Sequence, residues 1–269
     1  MAEDRNAMVY KSNALIQASY RLSLQEQRLM LSAISQVRRD DAPTDEVLYT
    51  ITAGALAEVG GFSKSNAFRD MRTAAHRLLK REIWIQDAPN GQGRHKKTMV
   101  TRWVQTIVYL EEEGAVQLRF SKDVLPYLSQ LKEQFTGYRL DAVSGMRSSY
   151  GVRLYELLMQ WGAIGEREIE IEWLRDAFQL GEAHMRIGNL KSKVIEPAIR
   201  DINECSNLWV EWGQRKSGRR VTHLQFRFGQ KEKAPSKSRK KLTDSEISKL
   251  ARPGESWEEA RKRLATGSQ

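Results

Sequence analysis

Apolar and polar positions follow one another along this chain in two rhythms, and the same succession of rhythms occurs twice. In the first half an apolar run predicts a strand over 48–52, passing into a short helix over 53–59. Gly60-Gly61 marks a turn. From 66 to 80, Ala67, Met71, Ala74, Ala75, Leu78 and Leu79 gather on one side of a helical projection, which predicts a long amphipathic helix. A strand over 83–86, a basic glycine-containing hairpin over 90–97 and a return strand over 98–110 follow. The second half repeats the order. It has a strand over 168–171, a helix over 172–180, a turn at Gly181 and a helix over 189–204. A strand over 208–212, a basic hairpin over 214–220 and a return strand over 221–228 close it.

Each repeat is preceded by a helix. Ser23 and Glu26 have the spacing of a capping box, and Leu29, Met30, Ala33, Ile34 and Val37 then recur every three to four residues. That helix ends in the charged stretch 38–41, ahead of Pro43. The second leading helix, 150–161, carries Val152, Tyr155, Leu158 and Met159 on one face and stops at Gly162. Between the repeats, an acidic turn at 111–114 joins the return strand to a strand over 116–120. Ser121 is expected to cap a helix over 123–134, with Pro126 tolerated in its first turn. The small polar stretch 140–149, around Gly145, reads as a short linker.

A helix–turn–helix followed by a β-hairpin is a winged helix, whose second helix typically enters the DNA major groove. The expected architecture is therefore α+β, with two tandem winged-helix modules over 1–139 and 140–229. Beyond them the tail 230–269 changes composition: over 230–241, Lys231, Lys233, Lys237, Arg239, Lys240 and Lys241 surround Pro235 with almost nothing apolar. It reads as a flexible, basic, disordered tail, with room for short helices at 243–246 and 254–264.

Charge sharpens this picture. The net charge of +10 over 269 residues suits a protein that meets phosphates, although the same charge also serves solubility. Apolar residues at 40% suffice for packed cores, and 29% charged residues predict a soluble chain. A single cysteine, Cys205, rules out an internal disulfide and fits a reducing cytoplasm; it reads as a buried helix-end residue. The first ten residues lack the apolar core of a signal peptide, and no apolar run approaches the ~20 residues that span a bilayer. A membrane partner is not expected.

The candidate DNA contacts lie on the two second helices and the two hairpins. On the first helix Arg69 and Thr73 are exposed near its N-terminal end, an arrangement open to bases, to phosphates or simply to solvent. Lys64 and Asn66 in the preceding turn are candidate phosphate donors. On the second helix Leu190, Val194, Ala198, Ile199 and Ile202 form the apolar side, while Lys193, Glu196 and Arg200 face away. Lys191 falls on the apolar side by angle, but its length lets it project past the core from the first turn. Pro197 removes a backbone donor and should kink or restart the helix, leaving 189–196, from Asn189 on, aimed at DNA. Arg94, Lys96 and Lys97 cluster in the first wing; Arg215, Lys216, Arg219 and Arg220 surround Ser217-Gly218 in the second. Wing cations supply affinity with little sequence information.

Enzyme chemistry finds little footing. No G-x-x-x-x-G-K-[ST] run occurs, which removes the phosphate cradle of an ATPase or helicase. The four histidines (His76, His95, His184, His223) are scattered without His or Cys partners, so neither a metal nor any other cofactor is expected. A rolling-circle nickase would need a paired-histidine metal site beside a tyrosine nucleophile. The chain is read as a non-enzyme.

Several segments resemble plasmid replication initiators of the iteron-binding RepA/RepE type. They are Lys11-Ser12-Asn13-Ala14-Leu15 through Tyr20-Arg21-Leu22-Ser23 and Glu26-Gln27-Arg28; Phe135-Thr136-Gly137-Tyr138-Arg139-Leu140 leading into Tyr150-Gly151-Val152-Arg153-Leu154-Tyr155-Glu156; and Ile195-Glu196-Pro197-Ala198-Ile199-Arg200-Asp201-Ile202-Asn203. The resemblance runs from about Lys11 to Phe228. It implies two winged helices binding directly repeated sequences in double-stranded origin DNA, in the cytoplasm of a bacterium. It implies a homodimer, formed through the N-terminal module, that represses its own gene, and a monomer that starts replication. It also implies host partners: the host initiator, the replicative helicase and chaperones. The family's basic run in the second recognition helix falls on Lys191-Ser192-Lys193, with Arg186 just before it and Ser192 where the family usually has a cation. A tandem winged-helix transcriptional regulator would share these physical features and differ in the DNA around its gene. If both recognition helices of one chain enter successive major grooves, about 10 bp apart, one monomer should protect roughly 17–22 bp from nuclease. A protected length half as long would mean that one module does not read DNA.

Overall fold

The computed structural model describes residues 7–42, 44–59, 66–91 and 94–231, with the backbone alone at 58, 59, 91 and 94–97. The basic tail beyond 231 and the turn residue Lys64 lie outside the described residues. The chain opens with strand β1 (Met8–Ser12), a short helix α1 (Asn13–Gln17) and helix α2 (Leu24–Ile34). The capping box at α2 forms as expected: the Ser23 side chain accepts from the Glu26 backbone N–H, and the Glu26 carboxylate accepts from the Ser23 N–H. Glu26 is fully buried there and also receives the Arg81 guanidinium at 3.0 Å. One carboxylate thus starts α2 and holds Arg81, just past the end of the long helix in the first module.

The first winged helix comprises β2 (Tyr49–Thr52), α3 (Ala53–Val59), α4 (Ala67–Leu78), β3 (Glu82–Asp87) and β4 (Arg94–Arg102). Ala67, Met71, Ala74, Ala75 and Leu78 are the buried side of α4, as their spacing predicts. The expected return strand over 98–110 is not one strand. It breaks at Trp103 into β4 and β5 (Val104–Leu110), and these serve different sheets: β4 pairs with β3, while β5 pairs with β6 (Ala115–Phe120), which pairs with β2. At the break the Trp103 side chain turns fully inward and packs edge-on against Tyr20, ring centroids 4.8 Å apart. Its backbone N–H donates to the Arg81 carbonyl and its carbonyl accepts from Ser121, so the residue bridges the two sheets. Between β5 and β6 the acidic turn closes on Gly114, whose φ of +59° suits glycine.

A second expectation fails between 121 and 139. In place of a helix over 123–134 there is a single helical turn, Leu125–Tyr127, and then strand β7 (Phe135–Arg139). The backbone groups that a helix would use are taken by distant parts of the fold. Gln130 N–H donates to the Arg39 carbonyl at 2.5 Å, Lys132 N–H donates to the Asn90 side chain at 3.0 Å, and the Gln134 carbonyl accepts from Asn13 N–H at 2.7 Å. Gln130 and Gln134 both adopt positive φ, which interrupts any helix. β7 pairs antiparallel with β1, an N-terminal partner that the hydrophobic pattern did not reveal.

The second winged helix follows a helical turn α5 (Asp141–Ser144) and the leading helix α6 (Ser149–Met159). It consists of β8 (Glu166–Glu170), α7 (Ile171–Ala177), α8 (Ile187–Leu190), α9 (Glu196–Cys205), β9 (Leu208–Ser217) and β10 (Arg220–Gln230), with the sheet in the order β8-β10-β9. Here the return strand is unbroken and itself pairs with the strand that enters the helix–turn–helix. The two modules therefore share an element order but close their sheets differently, and Trp103 is where they diverge. Cys205, at the end of α9, is half-buried rather than buried, and its thiol donates to the Gly145 carbonyl at 3.2 Å.

Residues up to Gln230 form one compact unit, with polar contacts buried between the N-terminal segment and α6. Lys11 on β1 and Glu156 on α6 are 3% and 1% exposed and 2.6 Å apart, and the Tyr138 hydroxyl on β7 donates to the same Glu156 oxygen at 2.5 Å. Burial first, and the Glu156 carboxylate second, push the Tyr138 phenol pKa well above its ordinary value, so the hydroxyl stays a donor. Arg153, one turn earlier, donates to the carbonyls of Ile16, Ala18 and Ala177 at 2.8–3.1 Å. Gly151 meets Asp201 of α9, where any Cβ would lie 3.0 Å from the carboxylate that accepts the Arg147 and Ser148 N–H groups. Breaking a buried ion pair costs far more than replacing it by apolar side chains. Glu156→Ala should therefore lower unfolding stability by about 3–5 kcal/mol, measured by urea titration. The triple variant Lys11→Met, Glu156→Leu, Tyr138→Phe should recover most of that loss.

Candidate nucleic-acid interface

The second long helix, expected over 189–204, is not uniform. Pro197 has no N–H for the Lys193 carbonyl, and its ring would collide with that carbonyl in a regular α-helix. Between α8 and α9, residues Lys191–Ile195 widen into a π-helical turn, with the Glu196 N–H reaching back five residues to the Lys191 carbonyl. Pro197 then sits in the first turn of α9, where it is tolerated. Such widened turns shift the angular phase of the side chains that precede them. Leu190, Val194 and Ile195 remain buried, while Arg186, Ser192, Lys193 and Arg200 are exposed.

The turn ahead of this element is tied down from inside. Arg175, about 10% exposed, donates to the Met185 carbonyl at 2.5 Å. Asn189 donates its side-chain amide to the Ala183 carbonyl at 2.8 Å, so its donor holds the turn. The Ser192 hydroxyl donates to the Gly188 carbonyl at 2.9 Å. Lys191 is half-buried, and its ammonium lies 5.9 Å from the ring of Trp212 on β9, within cation–π range.

The second wing is the β9–β10 hairpin. Ser217 pairs with Arg220 across a two-residue turn at Gly218-Arg219, with Gly218 at φ +59°. Its four cations divide into two kinds. Arg215 makes a forked contact to Glu168 on β8, Nε and Nη2 to the two carboxylate oxygens at 2.7–3.1 Å, and Gln225 of the central strand donates to the same carboxylate at 3.0 Å. The Arg215 hydrogen bond, foremost, holds the Glu168 carboxyl below the usual carboxylate range, and Arg215 is raised in turn. Arg220 donates to Glu172 on α7 at 2.7 Å, and that same oxygen accepts from Arg175 at 2.9 Å. Lys216 and Arg219 are exposed and, among the described residues, have no ion-pair partner.

The first module presents a second candidate surface. Asn66 is exposed at the start of α4 and makes no capping bond with its side chain. Arg69 is 73% exposed and 3.6 Å from Asp70, and the Thr73 hydroxyl donates to the Arg69 carbonyl. Arg72 pairs with Glu111 at 2.8 Å and stacks over Tyr109. Arg94, Lys96 and Lys97 fall on β4, but their side chains lie outside the described residues.

The pattern-based reading passed over Glu168, Glu172, Arg175 and Trp212, which determine what the second wing and helix can present. A signal for one of them, Glu168, exists in the sequence: Glu166, Glu168 and Glu170 alternate along one strand, and alternating like charges on a half-exposed strand ask for opposite charges on a neighbouring strand. Among the described residues there is no cluster of ligands suited to a metal, and no helix is long and apolar enough to cross a membrane.

Comparison with known proteins covers both modules. A family model described as "Initiator Replication protein, WH1" matches residues 8–159, and one described as "Initiator Rep protein, WH2" matches residues 170–228. An uncharacterized 27.6 kDa protein of Escherichia coli is 24% identical over 226 residues, 80% of this chain and 93% of that protein. A replication initiation protein of Escherichia coli is 27% identical over 208 residues, 75% of this chain but 63% of its own length. Among solved structures, the crystal structure of the Pi initiator protein in complex with iteron DNA superimposes with a TM-score of 0.68 at 19% identity, covering 85% of this chain and 99% of that one.

Proposed function

Because the chain belongs to the initiator replication protein family over both of its winged helices, we propose that it starts plasmid replication by binding directly repeated origin sequences. The observation that carries this reading is the exposed set Arg186, Lys193 and Arg200 on the second recognition element, beside a wing whose Lys216 and Arg219 are unpaired among the described residues. A solved relative of the same fold is bound to iteron DNA, which supports the same ligand here. In this reading Arg186 and Lys193 read base edges, and Lys216 and Arg219 hold phosphates. The first module adds Asn66, Arg69 and Thr73 along a neighbouring groove. The protein acts by binding, without catalysis: it helps open adjacent duplex and recruits the host initiator, helicase and chaperones in the bacterial cytoplasm. Selection of a preferred duplex from a random pool provides the assay. Lys193→Ala or Arg186→Ala should weaken binding to the selected duplex by about 1–3 kcal/mol while barely changing binding to random DNA. Arg219→Ala should weaken both alike and flatten the salt dependence. Equal losses on both DNAs for the helix variants would place base reading elsewhere.

The same chain would also repress its own gene as a dimer. β5 is an edge strand of the β2-β6-β5 sheet, with its outer side unpaired among the described residues. Ile107 and Tyr109 pack on the core, which leaves Val108 on the opposite face. A second copy pairing along this edge would give a two-fold dimer matched to an inverted repeat. Val108→Lys should shift sedimentation from dimer to monomer at micromolar concentration and raise binding to direct repeats. A wild-type chain that sediments as a monomer under those conditions would remove this interface.

A further inference from the structure

Wing cations bind phosphate by releasing counterions, and they strengthen binding to every sequence equally. A wing with four free cations would hold the chain on random DNA as firmly as it helps at the origin. In this wing two of the four are already engaged. Arg215 is forked onto Glu168, which Gln225 also holds, and Arg220 is bound to Glu172, which Arg175 anchors from beneath. The arrangement continues along the same sheet, where Arg227 lies 3.4 Å from Glu166.

We propose that Glu168 and Glu172 set the DNA specificity of this chain by neutralising Arg215 and Arg220, so that the wing meets phosphate with Lys216 and Arg219 alone. Arg215 and Glu168 sum to zero. Glu172 is shared with Arg175, but Arg175 is nearly buried and cannot reach a phosphate, so at the exposed surface Arg220 and Glu172 also cancel and neither contact releases a counterion. If the arginine swings away to the DNA, it leaves a carboxylate behind at the same surface, and the gain is cancelled. Both carboxylates are held where they are. Glu168 is fixed by a hydrogen bond from the central strand, and Glu172 by the nearly buried Arg175, whose other nitrogen holds the turn before the recognition helix. Glu168 and Glu172 pair with no side chain of the base-reading helix, so the glutamates subtract from the sequence-independent share of binding.

The proposal rests on the DNA-binding reading above, and its test separates the two. Binding of the full chain to a random-sequence 20-bp duplex is measured across a salt series for wild type, Glu168→Gln, Glu172→Gln, Arg219→Ala and Arg220→Ala, and for Arg220→Ala within Glu172→Gln. Each glutamine variant keeps the side-chain shape and should bind random duplex about three- to tenfold more tightly, its slope of log affinity against log salt steeper by about 0.9. The ratio of selected to random binding should fall by the same factor. Arg220→Ala should leave the wild-type slope unchanged, yet remove the added slope in the Glu172→Gln background. Unchanged slopes in the glutamine variants would overturn the proposal. So would a loss of slope from Arg220→Ala in the wild type as large as that from Arg219→Ala. If Arg219→Ala also leaves the slope unchanged, the wing does not meet DNA, and the wing's part in the DNA-binding reading falls together with this proposal.

Discussion

Arg153 is the contact on which the two halves of this molecule depend. Its guanidinium is buried, sits 3.6 Å above the Tyr20 ring and 5.4 Å from that of Phe178, and donates to three carbonyls. Those carbonyls belong to α1, to the segment just after α1 and to the end of α7, so one side chain from α6 ties the N-terminal module to the second helix–turn–helix. A buried charge is costly unless it finds partners; here three carbonyls take the terminal nitrogens and aromatic faces lie against the guanidinium, while the buried Nε has no hydrogen-bond partner among the described residues. Tyr20 in turn carries Trp103 on its ring, which connects Arg153 to the point where the first module's sheets separate. Lys11, Tyr138 and Glu156 repeat the logic one turn along α6.

Much of the architecture was legible in the sequence because apolar spacing reports local geometry. The buried faces of α2 and α4, the capping box at Ser23 and the wing tip at Gly218 follow from neighbours within a few residues. What stayed hidden was decided at long range. Nothing in the run from Thr98 to Leu110 marks Trp103 as a break, because the cause is Tyr20, over eighty residues away. The 123–134 segment has an acceptable helical composition, yet Arg39, Asn90 and Asn13 claim its backbone groups. The motifs behind the family resemblance gain a physical meaning here. Lys11, Tyr138, Arg153, Glu156, Gly151 and Asp201 are all engaged with one another or with backbone groups in the scaffold, so those motifs report how the modules are joined more than what they bind.

For the candidate interface the sequence showed which cations exist but not which are available. Charge counting treats Arg215, Lys216, Arg219 and Arg220 alike, whereas the sheet β8-β10-β9 brings Arg215 to Glu168 and the start of α7 brings Glu172 to Arg220. Asn189, Thr73 and Ser192 similarly look like contact residues by position, while each has a donor engaged in its own helix or turn. The π-helical turn before Pro197 adds a constraint of another kind, since it rotates the leading segment relative to the rest of the element. A basic surface is thereby reduced to a small set of exposed side chains on a tied-down backbone, without ion-pair partners among the described residues.

The central claim is that buried contacts around Arg153 and Glu156 make the two winged helices a single reading body before any DNA is bound. Pulsed electron spin resonance tests it directly, with spin labels at His76→Cys on α4 and Glu204→Cys on α9 in a Cys205→Ser background; both labelled positions are exposed. One narrow distance distribution in the free chain, unchanged when a selected duplex is added, is the expected result. A broad or two-population distribution that narrows only on DNA would contradict it.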